Sequence, residues 1–129
     1  MKKAVETRLW KNPTHVSGGI VANGILYTTI IPRRLDGSVE TGEPAKQIHL
    51  ALSNLKAVVE AAGGTLDDVT QVIVYLTDTK QFDLMLKIYS EYFSKPPFPS
   101  RATIIPAALA IPGMIIELVA HAHIGCASK

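Results

Sequence analysis

Two charged residues stand in surroundings that make their chemistry worth asking about. Arg101 opens a predicted strand, directly after a loop that carries Pro96, Pro97 and Pro99. A planar guanidinium can grip a carboxylate through two parallel hydrogen bonds, a geometry that lysine cannot copy. In this position it can equally form a surface or interface ion pair. Glu117 lies in a segment that is otherwise apolar. A partly buried carboxylate there would have a raised pKa and serve as a better base near neutral pH. Its alternative role is as partner to a basic group at an interface.

Other candidates carry less. His121 and His123 share one face of a predicted strand, and Cys126 follows. Ligands two apart on a strand converge, but zinc sites usually show three or four clear ligands, so these read as interior or interface polar residues. Cys126 reads as a small buried or frayed residue rather than a nucleophile, and neighbouring Ser128 has no partner His in a recognisable arrangement. Gly18-Gly19 and Gly63-Gly64 lack the spacing of a phosphate-binding loop. Arg33-Arg34 could touch phosphate, but adjacent loop arginines are usually solvated.

The elements that must position these groups follow from periodicity. Residues 16–22 and 25–31 read as strands, joined by Asn23-Gly24, a two-residue hairpin turn at which both positions tolerate positive φ. Residues 44–62 read as a long helix. Ile48, Leu52, Leu55, Val59 and Ala62 form its apolar stripe, Pro44 suits its first turn, and Gly63-Gly64 stops it. Val69–Thr77 reads as a third strand. Asp78 or Thr79 can cap a second helix at 80–93, whose apolar positions are Phe82, Met85, Leu86, Tyr89 and Phe93. Strands at 101–105 and 114–124 complete a β-β-α-β-α-β-β order.

That order predicts an α+β fold, one domain over residues 1–129, with a mixed sheet and both helices on one face. In the last strand Ile116, Leu118, Ala120, Ala122 and Ile124 point toward the helices, and Glu117, Val119, His121 and His123 point away. The second set is semipolar and has no covering layer within the chain, which predicts an oligomer packed sheet against sheet.

Composition narrows the classes. The chain has 129 residues, about one domain. It is 47% hydrophobic and 19% charged, a globular composition. Thirteen basic and eleven acidic residues leave a net charge of +2, too balanced to announce nucleic acid or an anionic membrane as partner. No apolar run is long enough to span a membrane. Lys2 to Arg8 lack the apolar core of a signal peptide, and a single cysteine excludes an intrachain disulfide framework, so a cytoplasmic protein is expected.

From about Val16 to His121 the chain resembles the RidA/YjgF family of enamine/imine deaminases, also labelled L-PSP endoribonucleases. Gln47, Leu52, Asn54-Leu55 and Glu60-Ala61-Ala62-Gly63-Gly64 look like that family's first helix and its end. Asp68-Val69 and Tyr75-Leu76-Thr77-Asp78 resemble the following strand. Tyr89, Tyr92 and Phe93 resemble its Y-x-x-(Y/F)-F helix. Pro99-Ser100-Arg101 is similar to its Pro-(Ala/Ser)-Arg motif, and Pro112 with Ile116-Glu117 to its Pro…(Ile/Val)-Glu ending.

The resemblance implies a chorismate-mutase-like fold, a homotrimer whose sheets form a barrel, and clefts between subunits. It implies that Arg101 clamps a substrate carboxylate, that Glu117 positions or deprotonates water, and that Thr103 offers backbone groups to the ligand's amino end. Many members have Cys at the position of Thr103. His15 stands where the family often has a Tyr that reaches the cleft; it can donate a hydrogen bond. Thr28-Thr29-Ile30-Ile31-Pro32 replaces a Ser-Gly-Gln-Ile-Pro stretch, so either Thr28 or Thr29 fills the serine role. Leu86 stands where Asn is frequent, and the stretch from Arg101 to Glu117 is one residue longer than the commonest pattern.

The expected activity is hydrolysis of small 2-enamino or 2-imino carboxylates, such as 2-aminoacrylate and 2-iminopropionate, to 2-keto acids and ammonia, without metal or organic cofactor. The alternative is a trimer that captures a small carboxylate without turning it over. RNA cleavage has the family's older label behind it but no basic stripe interleaved with aromatics.

Overall fold

The computed structural model describes residues 1–128. Its single sheet has six strands: β1 (Lys3–Ala4), β2 (Gly19–Ala22), β3 (Ile25–Ile30), β4 (Val69–Leu76), β5 (Ser100–Ile104) and β6 (Ile116–His123). Their spatial order is β1-β2-β3-β6-β4-β5. Only β4 and β5 pair in parallel; the other neighbours are antiparallel, so the sheet is mixed. Helices α1 (Pro44–Ala61) and α2 (Phe82–Tyr92) supply the second layer. This is the α+β fold expected from the element order, with one addition: the two-residue β1 is too short to give a periodic signal.

The hairpin turns at Asn23 (φ 52°) and Gly24 (φ 76°), both left-handed as the Asn-Gly pair allows. The first strand begins at Gly19 rather than residue 16. A Cβ at Gly19 would lie 2.9 Å from Val58 Cγ1, so glycine lets β2 approach α1. The second helix starts with a 3-10 turn at Thr79–Gln81, in which the Asp78 side chain accepts from the Lys80 N–H (2.9 Å). The last strand starts at Ile116; Met114 before it is buried in a turn.

The core lies between the helices and one sheet face. Ile48, Leu52, Leu55 and Val59 of α1 meet Leu26 and Ile30, Val72 and Val74, and Ile116, Leu118, Ala120 and Ala122. On α2, Met85, Ile88 and Tyr89 are buried, whereas Phe82 is on the surface. Glu117, Val119 and His121 alternate with the buried positions of β6 and stay half-exposed on the other face. Tyr27 joins them and meets the His121 ring edge-on, with centroids 5.0 Å apart. No described helix is long and apolar enough to cross a membrane.

Candidate functional site

A cavity of about 600 Å³ opens between the N-terminal segment, the end of β3 and the loop before β6. Glu117 and Thr29 line it, together with Trp10, Arg33 and apolar side chains including Ile31 and Ile111. β3 and β6 are neighbours, with Thr29 paired to Val119 and Ile30 to Leu118. Glu117 follows from the β6 alternation: Ile116 and Leu118 face the helices, so Glu117 faces away. No cation lies within ion-pair distance of it among the described residues. Burial pushes its carboxyl above the ordinary range.

Two buried amides of α1 hold the walls. Gln47 and Asn54 lie two helical turns apart, on one face. The Gln47 side chain donates to the Gly113 carbonyl (2.9 Å) and accepts from the Ile115 N–H (2.7 Å), which fixes the chain just before Glu117. The Asn54 amide donates to the carbonyls of Ile31 (3.2 Å) and Arg33 (2.8 Å), which fixes the chain just after Thr29. Buried amides without such partners would cost stability. Here each one binds a loop to the core and so sets the shape of the cavity.

The two candidate threonines separate cleanly. Thr28 is buried under the helices, and its hydroxyl donates to the Gly18 carbonyl (2.5 Å). Thr29, one residue on, takes the opposite face and the cavity. Of the two, Thr29 is thus the one that lines the cavity, because adjacent strand residues cannot share a face. His15 is exposed, does not line the cavity, and has a left-handed backbone (φ 66°). Its neighbours Asn12 and Val16 line the cavity instead.

Arg101 and Thr103 are elsewhere. They lie on β5, the outer strand of the sheet, in register with Val72 and Val74. Those partners face the helices, and so does Arg101: its guanidinium lies over the Tyr89 ring of α2, 4.9 Å from the centroid. Glu117 is paired with Tyr75 on the opposite face. Within one chain, Arg101 and Glu117 are thus separated by β4 and by the thickness of the sheet. Arg101 remains exposed, with no carboxylate partner among the described residues. Below it, burial pushes the Tyr89 phenol up to about 12 against the pull of Arg101, and its hydroxyl has no hydrogen-bond partner among the described residues.

Sequence reading missed Trp10 and treated Arg33 as solvated. Arg33 is half-buried, its guanidinium 4.3 Å from the centre of the Trp10 ring, and it donates to the Gly37 carbonyl (2.7 Å). The available signal was the single tryptophan in the chain, placed in a segment without periodicity.

Comparison with known proteins agrees with this architecture. The Endoribonuclease L-PSP family model matches residues 10–124. YyfA of Yersinia pestis, a conserved Rid-family protein of unknown function, superposes with a TM-score of 0.90 at 30% identity, covering 96% of this chain and all of its own. RidA from an Antarctic Psychrobacter superposes with a TM-score of 0.86 at 25% identity, covering 95% of this chain and 99% of its own. TdcF of E. coli, solved with bound serine, has a TM-score of 0.86 at 25% identity, covering 94% and 98%. With the family match spanning all but the ends of the chain, and with a sheet and helix arrangement shared with Rid proteins, the protein belongs to the Endoribonuclease L-PSP (Rid) family.

Proposed function

We propose that the protein hydrolyses small 2-imino carboxylates, and the enamines that tautomerise to them, to 2-keto acids and ammonia. The observation that carries this reading is Glu117: a desolvated carboxylate, without a cation among the described residues, on a cavity that Thr29 also lines. Such a group can take a proton from water as the water oxygen bonds to the imine carbon. The C=N π pair takes up a proton from solvent at nitrogen to give the carbinolamine; Glu117 then returns its proton to that nitrogen, the C–N bond breaks as ammonia leaves, and the hydroxyl gives up its proton to water as the carbonyl forms. Arg101, exposed and seated on Tyr89, supplies the carboxylate clamp. The serine bound to the similar TdcF also carries a carboxylate beside its amino group.

A ligand that touches both Arg101 and Glu117 needs two chains, because one chain puts them on opposite faces. The proposed site therefore lies in a cleft between subunits, one providing Glu117 and Thr29 and its neighbour providing Arg101 and Thr103. A homotrimer packed through the open sheet face suits the half-exposed Tyr27, Val119 and Ile73. The second reading, capture without turnover, is favoured by TdcF, whose bound serine is an amino acid and not an imine.

The test is release of ammonia and keto acid from enzymatically generated 2-iminopropionate. Acceleration by the wild type, lost in Arg101→Ala with an unchanged oligomeric mass, is the expected result. No acceleration by the wild type, with carboxylate binding retained, would replace the reading with the capture reading. Carboxylate binding unchanged in Arg101→Ala would remove the clamp.

A further inference from the structure

The cavity is larger than a three-carbon imino acid needs, and two of its charged residues have no ion-pair partner among the described residues. Pockets of about 300–1,000 Å³ hold ligands of drug size, and this one measures about 600 Å³. Its charged lining residues are Glu6, Lys11, Arg33, Arg34 and Glu117. Lys11 pairs with Glu6 (3.3 Å), and Arg34 pairs with Glu40 (2.8 Å). Among the described residues that leaves Arg33 as the cation without a carboxylate and Glu117 as the carboxylate without a cation.

Arg33 is also held in place before any ligand arrives. Its backbone N–H donates to the Ile31 carbonyl (2.8 Å), and its own carbonyl accepts from Asn54 (2.8 Å). Its guanidinium is stacked on Trp10 and bonded to the Gly37 carbonyl. Trp10 in turn sits directly on Gly37, where an added Cβ would come within 2.6 Å of its indole nitrogen and where φ is 93°. A guanidinium has five N–H donors in a rigid fork, and the Gly37 bond uses one of its nitrogens. The rest are free to meet an anion with little loss of side-chain entropy, because the stack has already fixed the rotamer.

We infer that Arg33, stacked on Trp10, is a second anion-recognising position in the Glu117 cavity, and that the preferred ligands are dicarboxylic 2-imino acids. The inference rests on the reading of Glu117 and Arg101 given above for the first carboxylate. Arg101 grips the carboxylate beside the reacting carbon, the apolar wall at Ile31 and Ile111 covers the ligand's methylenes, and Arg33 receives the distal carboxylate.

Binding of unreactive keto acids tests this separately from catalysis. Affinities for 2-oxoglutarate and 2-oxobutyrate are measured by titration calorimetry on the intact oligomer, for the wild type, Arg33→Met and Arg33→Gln. Methionine keeps apolar packing on Trp10, glutamine keeps a donor, and thermal melting shows that each variant is folded. The wild type is expected to prefer the dicarboxylate by about tenfold or more, the range of a hydrogen-bonded charge pair. Both variants are expected to bring that ratio close to one. A wild-type ratio near one overturns the inference. So does a ratio that survives in a folded variant, which would leave Arg33 a structural role only. Absence of imine turnover with the ratio intact would defeat the proposed reaction and leave this position standing.

Discussion

The centre of the sheet and one of its edges differ in how complete they are. At the β3–β6 side, Glu117 and Thr29 face a formed cavity whose walls are tied to α1 by Gln47 and Asn54. At the β5 side, Arg101 lies on an outer strand, exposed, with Ile104 and Ile105 also on the surface. The first region is preorganised by its own chain: buried hydrogen bonds leave its loops few alternatives. The second has a charge and apolar side chains but no opposing wall. An edge strand with exposed apolar residues invites a partner. The difference teaches that this chain presents a formed cavity in one region and an uncovered strand in the other; in the function proposed above, a second copy would bring the two together.

That contrast can be broken at several points. The largest effect is expected from Glu117→Gln, which should lower imine turnover about a hundredfold or more while leaving carboxylate binding in place. In the wild type, turnover should rise with pH through the raised pKa of Glu117 and then level off, because the ionised form is the base. Its stability has the opposite sign. A carboxyl whose folded pKa is raised contributes fully below the ordinary value and loses that contribution as pH climbs through the folded one. Urea melts of the wild type and Glu117→Gln, compared across that window, should show the gap. A turnover profile flat through weakly acidic pH would remove Glu117 as the base.

Next in size is the support behind the cavity. Gln47→Leu orphans the Gly113 carbonyl and the Ile115 N–H and should cost about 2 kcal/mol in urea denaturation. It should also slow turnover, because the segment it holds leads into Glu117. A destabilised variant with full activity would show that the cavity tolerates a loose wall.

The smallest effect belongs to the β5 side. Tyr89→Phe removes a buried hydroxyl that has no partner among the described residues and keeps the ring under Arg101. Stability should move by less than about 0.5 kcal/mol, or rise slightly, and carboxylate affinity should hold. A clear loss of affinity would mean that the hydroxyl, and not the ring alone, serves the clamp once a neighbouring subunit is in place.

Much of the frame was legible because local patterns dictate it. The stripe Ile48, Leu52, Leu55, Val59 is buried as its spacing required, while Lys46, His49, Ser53, Lys56 and Glu60 are exposed. The alternation in β6 sorted Ile116, Leu118, Ala120 and Ala122 from Glu117, Val119 and His121, because strand residues change face at every step. Asn23-Gly24 makes its turn since few other pairs accept two left-handed residues. Candidate residues were harder. Thr28 and Thr29 are alike in type, and only the pairing of β3 with β6 and the cover of the helices distinguish them.

The sequence by itself determined the element order, the core faces and the presence of an arginine and a glutamate in an ordered family pattern, since each is written in spacings of a few residues. Only the tertiary structure decided that Arg101 and Glu117 occupy opposite faces of the sheet, that His15 stays outside the cavity, and that Arg33 lies on Trp10 inside it. Those outcomes depend on strand order and on contacts between distant segments, in which a side chain's neighbours are set by how whole elements stack. No periodicity along the chain encodes that directly.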